Sequence, residues 1–236
     1  MPSLPVIVLA ILVMALGSAV QAAVGIGMAL VVVPILALVD TQFIPGPMLF
    51  AGIALAAATA YRDRAAVDRA TLNLSFVGLG IGTAVGAVAL KIISGPYLPK
   101  VFGGLILLAV LFSVAGSRVS PTPRMLLAGS TASGIMGTMV GIHGPAIALV
   151  FQNAEPLQVR AILGVFFTIG YAIAVASLAV VGLFGTQEVV LGLALLPGVA
   201  IGYFAAPAIS QFINQAVLRV AILVISSMSA VSLLFR

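Results

Sequence analysis

Apolar positions run through this sequence in long blocks. They do not alternate as in a half-buried strand, nor do they form the single stripe of a surface helix. No Asp, Glu, Lys, Arg or His occurs from residue 1 to 39. Further charge-free runs cover 41–61, 70–90, 101–117, 161–187, 189–218 and 220–235, and 125–154 holds one ionisable group, His143. A helix crosses a hydrocarbon core of about 30 Å with about 20 apolar residues. Most runs meet that length, so the pattern predicts membrane helices. The absence of strict alternation argues against a β-barrel. The expected fold is an all-α polytopic bundle whose backbone hydrogen bonds are satisfied within each helix.

Two blocks do not fit a single pass. Residues 4–39 would be about 54 Å long as one helix, which is too long for one crossing and short for two. Gly25-Ile26-Gly27 interrupts the block and Pro34 follows. Residues 125–154 carry Gly141-Ile142-His143-Gly144-Pro145 near their middle. The limbs on either side, 125–139 and 146–154, are short for a span. Each block therefore reads as a helical hairpin whose glycine tip dips into the membrane. Fuller passes follow at 47–61, 71–90 and 101–117, and again at 161–185, 188–209 and 214–235. Val6–Leu16 partly resembles a signal peptide. No basic residue precedes it, however, and apolar sequence continues to Val39, so it reads as the first membrane element.

The two halves repeat. Val24-Gly25-Ile26-Gly27 matches Val140-Gly141-Ile142-His143, Gln42 falls on Gln158, and Phe50 falls on Phe166. With a drift of four residues, Gly78 and Gly82 fall on Gly198 and Gly202, and Leu98 on Leu218. The expected division is a first membrane repeat over 1–117, a basic linker over 118–124 and a second membrane repeat over 125–236. Internal repeats of this kind mark transporters. A hairpin followed by three crossings returns the second half inverted. Arg62, Arg64, Arg69, Arg118, Arg124, Arg160 and Arg219 then share one face, against Lys91, Lys100 and Arg236 on the other. That seven-to-three division fits the positive-inside rule better than the six-to-four division of single crossings. It predicts cytoplasmic loops at 62–69 and 118–124, with both termini outside.

Composition agrees. The chain is 63% hydrophobic and 6% charged, whereas a soluble domain carries about 25% charged residues. This excludes an ordinary soluble domain, a disordered chain and a nucleic-acid binder. The net charge of +5 belongs to orientation of the chain in its lipid bilayer. There is no cysteine, so disulfides and thiolate chemistry are excluded. One His and five acids supply a metal site poorly. No phosphate loop or catalytic triad appears, so neither ATP drive nor an enzyme is expected, and no cofactor is called for.

The glycine-bearing hairpin Gln21-Ala22-Ala23-Val24-Gly25-Ile26-Gly27, running on to Pro34, resembles the first repeat of the TauE/SafE family. Gly134 to Pro145, with Gly137, Gly141 and Gly144, resembles its second repeat. This family is also called the sulfite exporter or toluenesulfonate uptake permease family. The resemblance implies a secondary transporter of sulfite, a sulfonate, sulfoacetate or another small organic or sulfur anion in a bacterial inner membrane. The pattern departs at Met28-Ala29 in the first tip and at His143, where glycine is usual.

Physically, a broken hairpin frees backbone N–H groups at the start of its second limb, which suits an anion. The candidate substrate-binding residues are Gln21, Gly25, Ile26, Gly27 and Met28 in the first hairpin, with Thr138, Gly141, His143, Gly144 and Pro145 in the second. Gln21 lies one turn before Gly25, on the same helix face. Pro145 suits a first helical turn. His143 is also the candidate for carrying a coupling proton, since imidazole titrates near neutral pH. Each has a structural counterpart reading: glycines allow close helix packing, and Ser130, Thr131, Ser133 and Thr138 can bridge helices. Asn73, Tyr171 and Tyr203 carry the same two readings. Arg62-Asp63-Arg64 reads as a solvated loop with local ion pairs. Gly80, Gly82 and Gly86 read as a packing face. Alternating access between the repeats and an anion channel with the two tips as a fixed filter both stay open. The expected unit is one bundle per chain, with oligomeric state left open.

Overall fold

The computed structural model describes residues 2–66, 69–93, 95–115, 122–151, 154–210 and 215–235. Among these there are ten α-helices and no strand. The helices are α1 (Leu4–Val24), α2 (Met28–Val39), α3 (Gly46–Arg62), α4 (Arg69–Ile92), α5 (Leu98–Val114), α6 (Pro123–Val140), α7 (Gly144–Val150), α8 (Pro156–Val180), α9 (Thr186–Ser210) and α10 (Gln215–Leu234). Most of the linker 118–124 lies outside the described residues, as does Arg236.

Proline opens many of these helices. A Pro stands in the first turn of α1, α3, α5, α6, α7 and α8, where its missing N–H costs no helical bond. Glycine closes both hairpin first limbs: α1 ends at Gly25 and α6 at Gly141, each in the left-handed region. Two hairpins thus form, α1–α2 and α6–α7, and their limbs are uneven. α1 has 21 residues and α6 has 18, whereas α2 has 12 and α7 has 7. At 1.5 Å per residue α6 is about 27 Å long, close to a span, so only the return limbs are truly short.

Pro34 lies inside α2 and removes the N–H that would bond the Leu30 carbonyl. In hydrocarbon that carbonyl needs another donor. Ser226 of α10 supplies it at 2.9 Å, and Ser229 donates to the Pro34 carbonyl at 2.5 Å. These two bonds fasten α2 to α10.

Packing follows the repeat. α4 lies along α6, and α9 lies along α1. α2 meets α10, and α7 meets α5. α3 and α8 face each other at the centre. Exchanging the halves maps each of these pairs onto another or onto itself. The repeat-matched glycines serve the same contact in both halves. A Cβ at Gly78 would lie 2.6 Å from the Leu127 carbonyl oxygen, and one at Gly82 would strike the Thr131 carbonyl. Gly198 and Gly202 press in the same way on the Ile11 and Ala15 carbonyls of α1. On α4 the packing face is Gly78, Gly82 and Gly86. Gly80 has nothing within 4 Å of a Cβ, which corrects the expectation that it packs. It sits off that face because the close-contact spacing is four residues, not two.

The outer surface is apolar. Leu4, Val8, Leu12 and Leu16 expose one stripe of α1, and Val77, Ile81, Val85 and Val88 one stripe of α4. In water such stripes would be costly, but facing lipid they are neutral. α1, α4, α5, α8 and α9 are each long and apolar enough to cross a membrane.

Candidate functional site between the hairpin tips

Both tips turn on a left-handed glycine. The Gly25 N–H donates to the Gln21 carbonyl at 2.7 Å, with φ 95. The Gly141 N–H donates to the Gly137 carbonyl at 2.8 Å, with φ 86. The tips then diverge. Gly27 has φ 122, a conformation that L side chains rarely adopt. Its counterpart His143 has φ −83 and ψ −28, ordinary right-handed values. A residue other than glycine is therefore free to stand there.

The tips meet across the molecule. A Cβ at Gly144 would lie 3.9 Å from Ile26 Cβ and 3.7 Å from the Phe167 ring. His143 folds back so that its ring occupies the space over Gly137. Its edge meets Tyr171 of α8, with centroids 5.0 Å apart and planes at 72°. Phe167 also stacks on Tyr171, at 5.8 Å and 7°. The Gln21 side chain sits beside the Tyr171 hydroxyl. Gly52 admits this group: a Cβ there would lie 2.9 Å from Tyr171 Cε2 and 3.0 Å from Met28 Cε.

Gln21 is 3% exposed, Tyr171 1%, and Met28 and His143 are fully buried. Ser133 donates its hydroxyl to the His143 carbonyl at 2.5 Å, which pins the tip backbone. The Gly141 carbonyl lies beside the His143 ring, yet neither ring nitrogen forms a well-aligned hydrogen bond, and neither does Gln21 Nε2. Ser18 Oγ, Thr83 Oγ1 and Thr138 Oγ1 are likewise buried without a hydrogen bond, and such atoms cost about 1–3 kcal/mol each.

The structure places Gln21, Met28 and His143 beside Tyr171, and Gly144 beside Ile26 and Phe167. Other candidates lie elsewhere. Gly25 faces Arg160, Gly27 faces Val20, Gly141 faces Met48 and Val33, and Thr138 faces Gly86 on α4. Pro145 is buried in the first turn of α7. Phe167 was not singled out by sequence reasoning, and Tyr171 was named there only as a residue that could bind a ligand or bridge helices. The available signal was position: Tyr171 falls inside the charge-free run 161–187, whereas tyrosines in membrane helices gather at the interfaces. Ser130 donates to the Leu126 carbonyl of its own helix at 2.6 Å. Asn73 is exposed.

Just beyond the first tip lies a charged group. Asp63 is paired with Arg62 at 3.2 Å and with Arg160 at 3.3 Å. Burial pushes the Asp63 carboxyl up, but the Arg62 hydrogen bond and the charges of Arg62 and Arg160 outweigh it and hold it below its usual range. Arg62 and Arg64 are exposed and the local Arg62–Asp63 pair is present, as the sequence suggested, but Asp63 itself is only 8% exposed. The second arginine arrives from 97 residues away, a pairing no local pattern displays.

A bundle of apolar helices around two facing, glycine-broken hairpins with polar groups buried between them defines a multi-pass membrane protein of the transport class. Residues 9–233 match the family described as Sulfite exporter TauE/SafE, and the chain belongs to that family. Comparison with curated proteins and with solved structures gives no match.

Proposed function

We propose that the protein is a secondary transporter that moves a small sulfur-containing or organic anion, of the sulfite, sulfonate or sulfoacetate class, by alternating access. The observation that carries this reading is the burial of Gln21, His143 and Tyr171 together at the two tips, polar groups set inside an apolar bundle. An amide N–H and an imidazole N–H offer donors to an oxyanion's acceptors. The acids of the chain, Asp40, Asp63, Asp68, Glu155 and Glu188, stand outside the charge-free runs, which speaks against a cation at this centre. The family's description as a sulfite exporter supports the sulfur-anion class.

In this reading residues 1–117 and 125–236 are inverted repeats, and the exchange of helix partners between halves supports that relation. The loops 62–69 and 118–124 face the cytoplasm of an inner membrane, and the termini lie outside. Rocking of one repeat against the other would expose the centre first to one side and then to the other. The burial of Gln21, Met28, His143 and Tyr171 supports a carrier with an occluded centre over a channel with a fixed filter. His143 and an arriving anion can share a proton, so coupling to protons would run through this residue, with the membrane potential as the other drive.

Gln21→Leu tests the site directly. Loss of a hydrogen bond to a charged ligand should raise the KM for the transported anion about tenfold or more while leaving the fold intact. An unchanged KM would remove Gln21 from the site.

A further inference from the structure

The charged group at the first tip has no part in holding an anion between the hairpins, and its geometry is that of a latch. Arg62 Nε donates to Asp63 Oδ1 and Arg62 Nη2 to Oδ2, both at 3.2 Å. Arg160, in the first turns of α8, donates from Nε to Asp63 Oδ2 at 3.3 Å. Arg62 Nη2 also reaches the Ala22 carbonyl at 2.9 Å. That carbonyl is in the last turn of α1, where carbonyls lack helical partners and a cation is favoured. The Arg62 guanidinium lies 6.0 Å from the Tyr203 ring centre on α9. The stem of Arg160 fills the space beside Gly25, where a Cβ would lie 2.6 Å from Arg160 Cγ. One buried carboxylate thus joins the end of α1 and its tip to the end of α3 and the start of α8.

We propose that Arg62, Asp63 and Arg160 form the gate that seals the first hairpin tip on the side of the arginine loops, and that opening to that side requires Asp63 to release Arg160. The proposal rests on the transporter reading. An anion leaving the centre past Gly25 would meet both guanidinium groups. An oxyanion presents them with the same paired acceptors as a carboxylate, so it can take the place of Asp63 and open its own exit. These three are positioning residues. They act on access to the centre, not on the groups that hold the ligand.

The chain contains no cysteine, so Met28→Cys places a single thiol at the fully buried centre. With the gate closed, a membrane-impermeant maleimide should label it slowly. Adding Asp63→Asn should raise labelling about tenfold from the side of the arginine loops and leave it unchanged from the other side. Equal labelling with and without Asp63→Asn would overturn the gate. Should Asp63→Asn fold poorly, Asp63→Cys with Arg160→Cys serves instead, joined by a short reductant-cleavable bis-thiosulfonate. Joining should cut uptake of the carried anion about tenfold, and reductant should restore it. Full uptake by the joined protein would overturn the gate. Should the unmodified protein carry no anion at all, the transporter reading fails, and the labelling experiment decides on the gate by itself.

Discussion

The His143 ring stands where a side chain on Gly137 would have to be, so the histidine at the second tip and the glycine in the helix before it fit as a matched pair. Gly137 is what allows an imidazole to lie inside its own hairpin and face Tyr171. Gly137→Ala should therefore displace the ring. Overpacking of this kind costs about 1–3 kcal/mol, and uptake should fall with it. Gly80→Ala is the matched control, because nothing lies within 4 Å of its Cβ, and it should stay within about 0.5 kcal/mol of the parent. Thermal unfolding in detergent with parallel uptake assays separates the two, and equal behaviour would refute the pairing.

His143→Gly should keep the fold, because the backbone at φ −83 makes no special demand on the residue there. Between about pH 5 and 8 its uptake should differ from the parent's in pH dependence or in choice of anion. An uptake profile that matches the parent across that range would exclude His143 from proton coupling.

The hairpin breaks were legible in the sequence because they rest on local backbone chemistry. Gly25 and Gly141 sit at left-handed helix ends, and such positions select glycine wherever they occur. The packing role of Gly78, Gly82, Gly198 and Gly202 was legible through their repeat spacing. The partners of polar side chains were not. Tyr171 reaches Gln21 from the other half of the chain, and Arg160 reaches Asp63 across 97 residues. Sequence shows that such residues exist but not which face of a membrane helix each occupies, since apolar residues surround them on every side.

Asp63→Asn should destabilise the protein near neutral pH and matter less in acid. The folded carboxyl titrates below its usual value. Its contribution is then present above the unfolded value, about 3.9, and is lost as pH falls through the folded one. The stability difference between parent and variant should be about 1–3 kcal/mol at pH 7 and shrink below about pH 4. A difference that stays constant from pH 7 to 3 would contradict the ion-pair account.

Ser226→Ala should cost about 1 kcal/mol by leaving the Leu30 carbonyl without a donor in a buried setting. Pro34→Ala restores an N–H that can bond that carbonyl within α2. In the Pro34→Ala background the loss from Ser226→Ala should therefore be smaller. A double-mutant cycle on thermal stability measures the difference, and strictly additive effects would show that Ser226 does not compensate for Pro34.

The most direct test of the central claim is uptake by proteoliposomes of a labelled panel of sulfite, thiosulfate, sulfoacetate and a plain carboxylate, at two pH values, with and without an imposed gradient. The account predicts saturable uptake of a sulfur anion that is abolished by a bulky substitution at Gly144, where the second tip faces Ile26. Equal leakage of all four, or uptake indifferent to Gly144, would contradict a carrier whose site lies between the two tips.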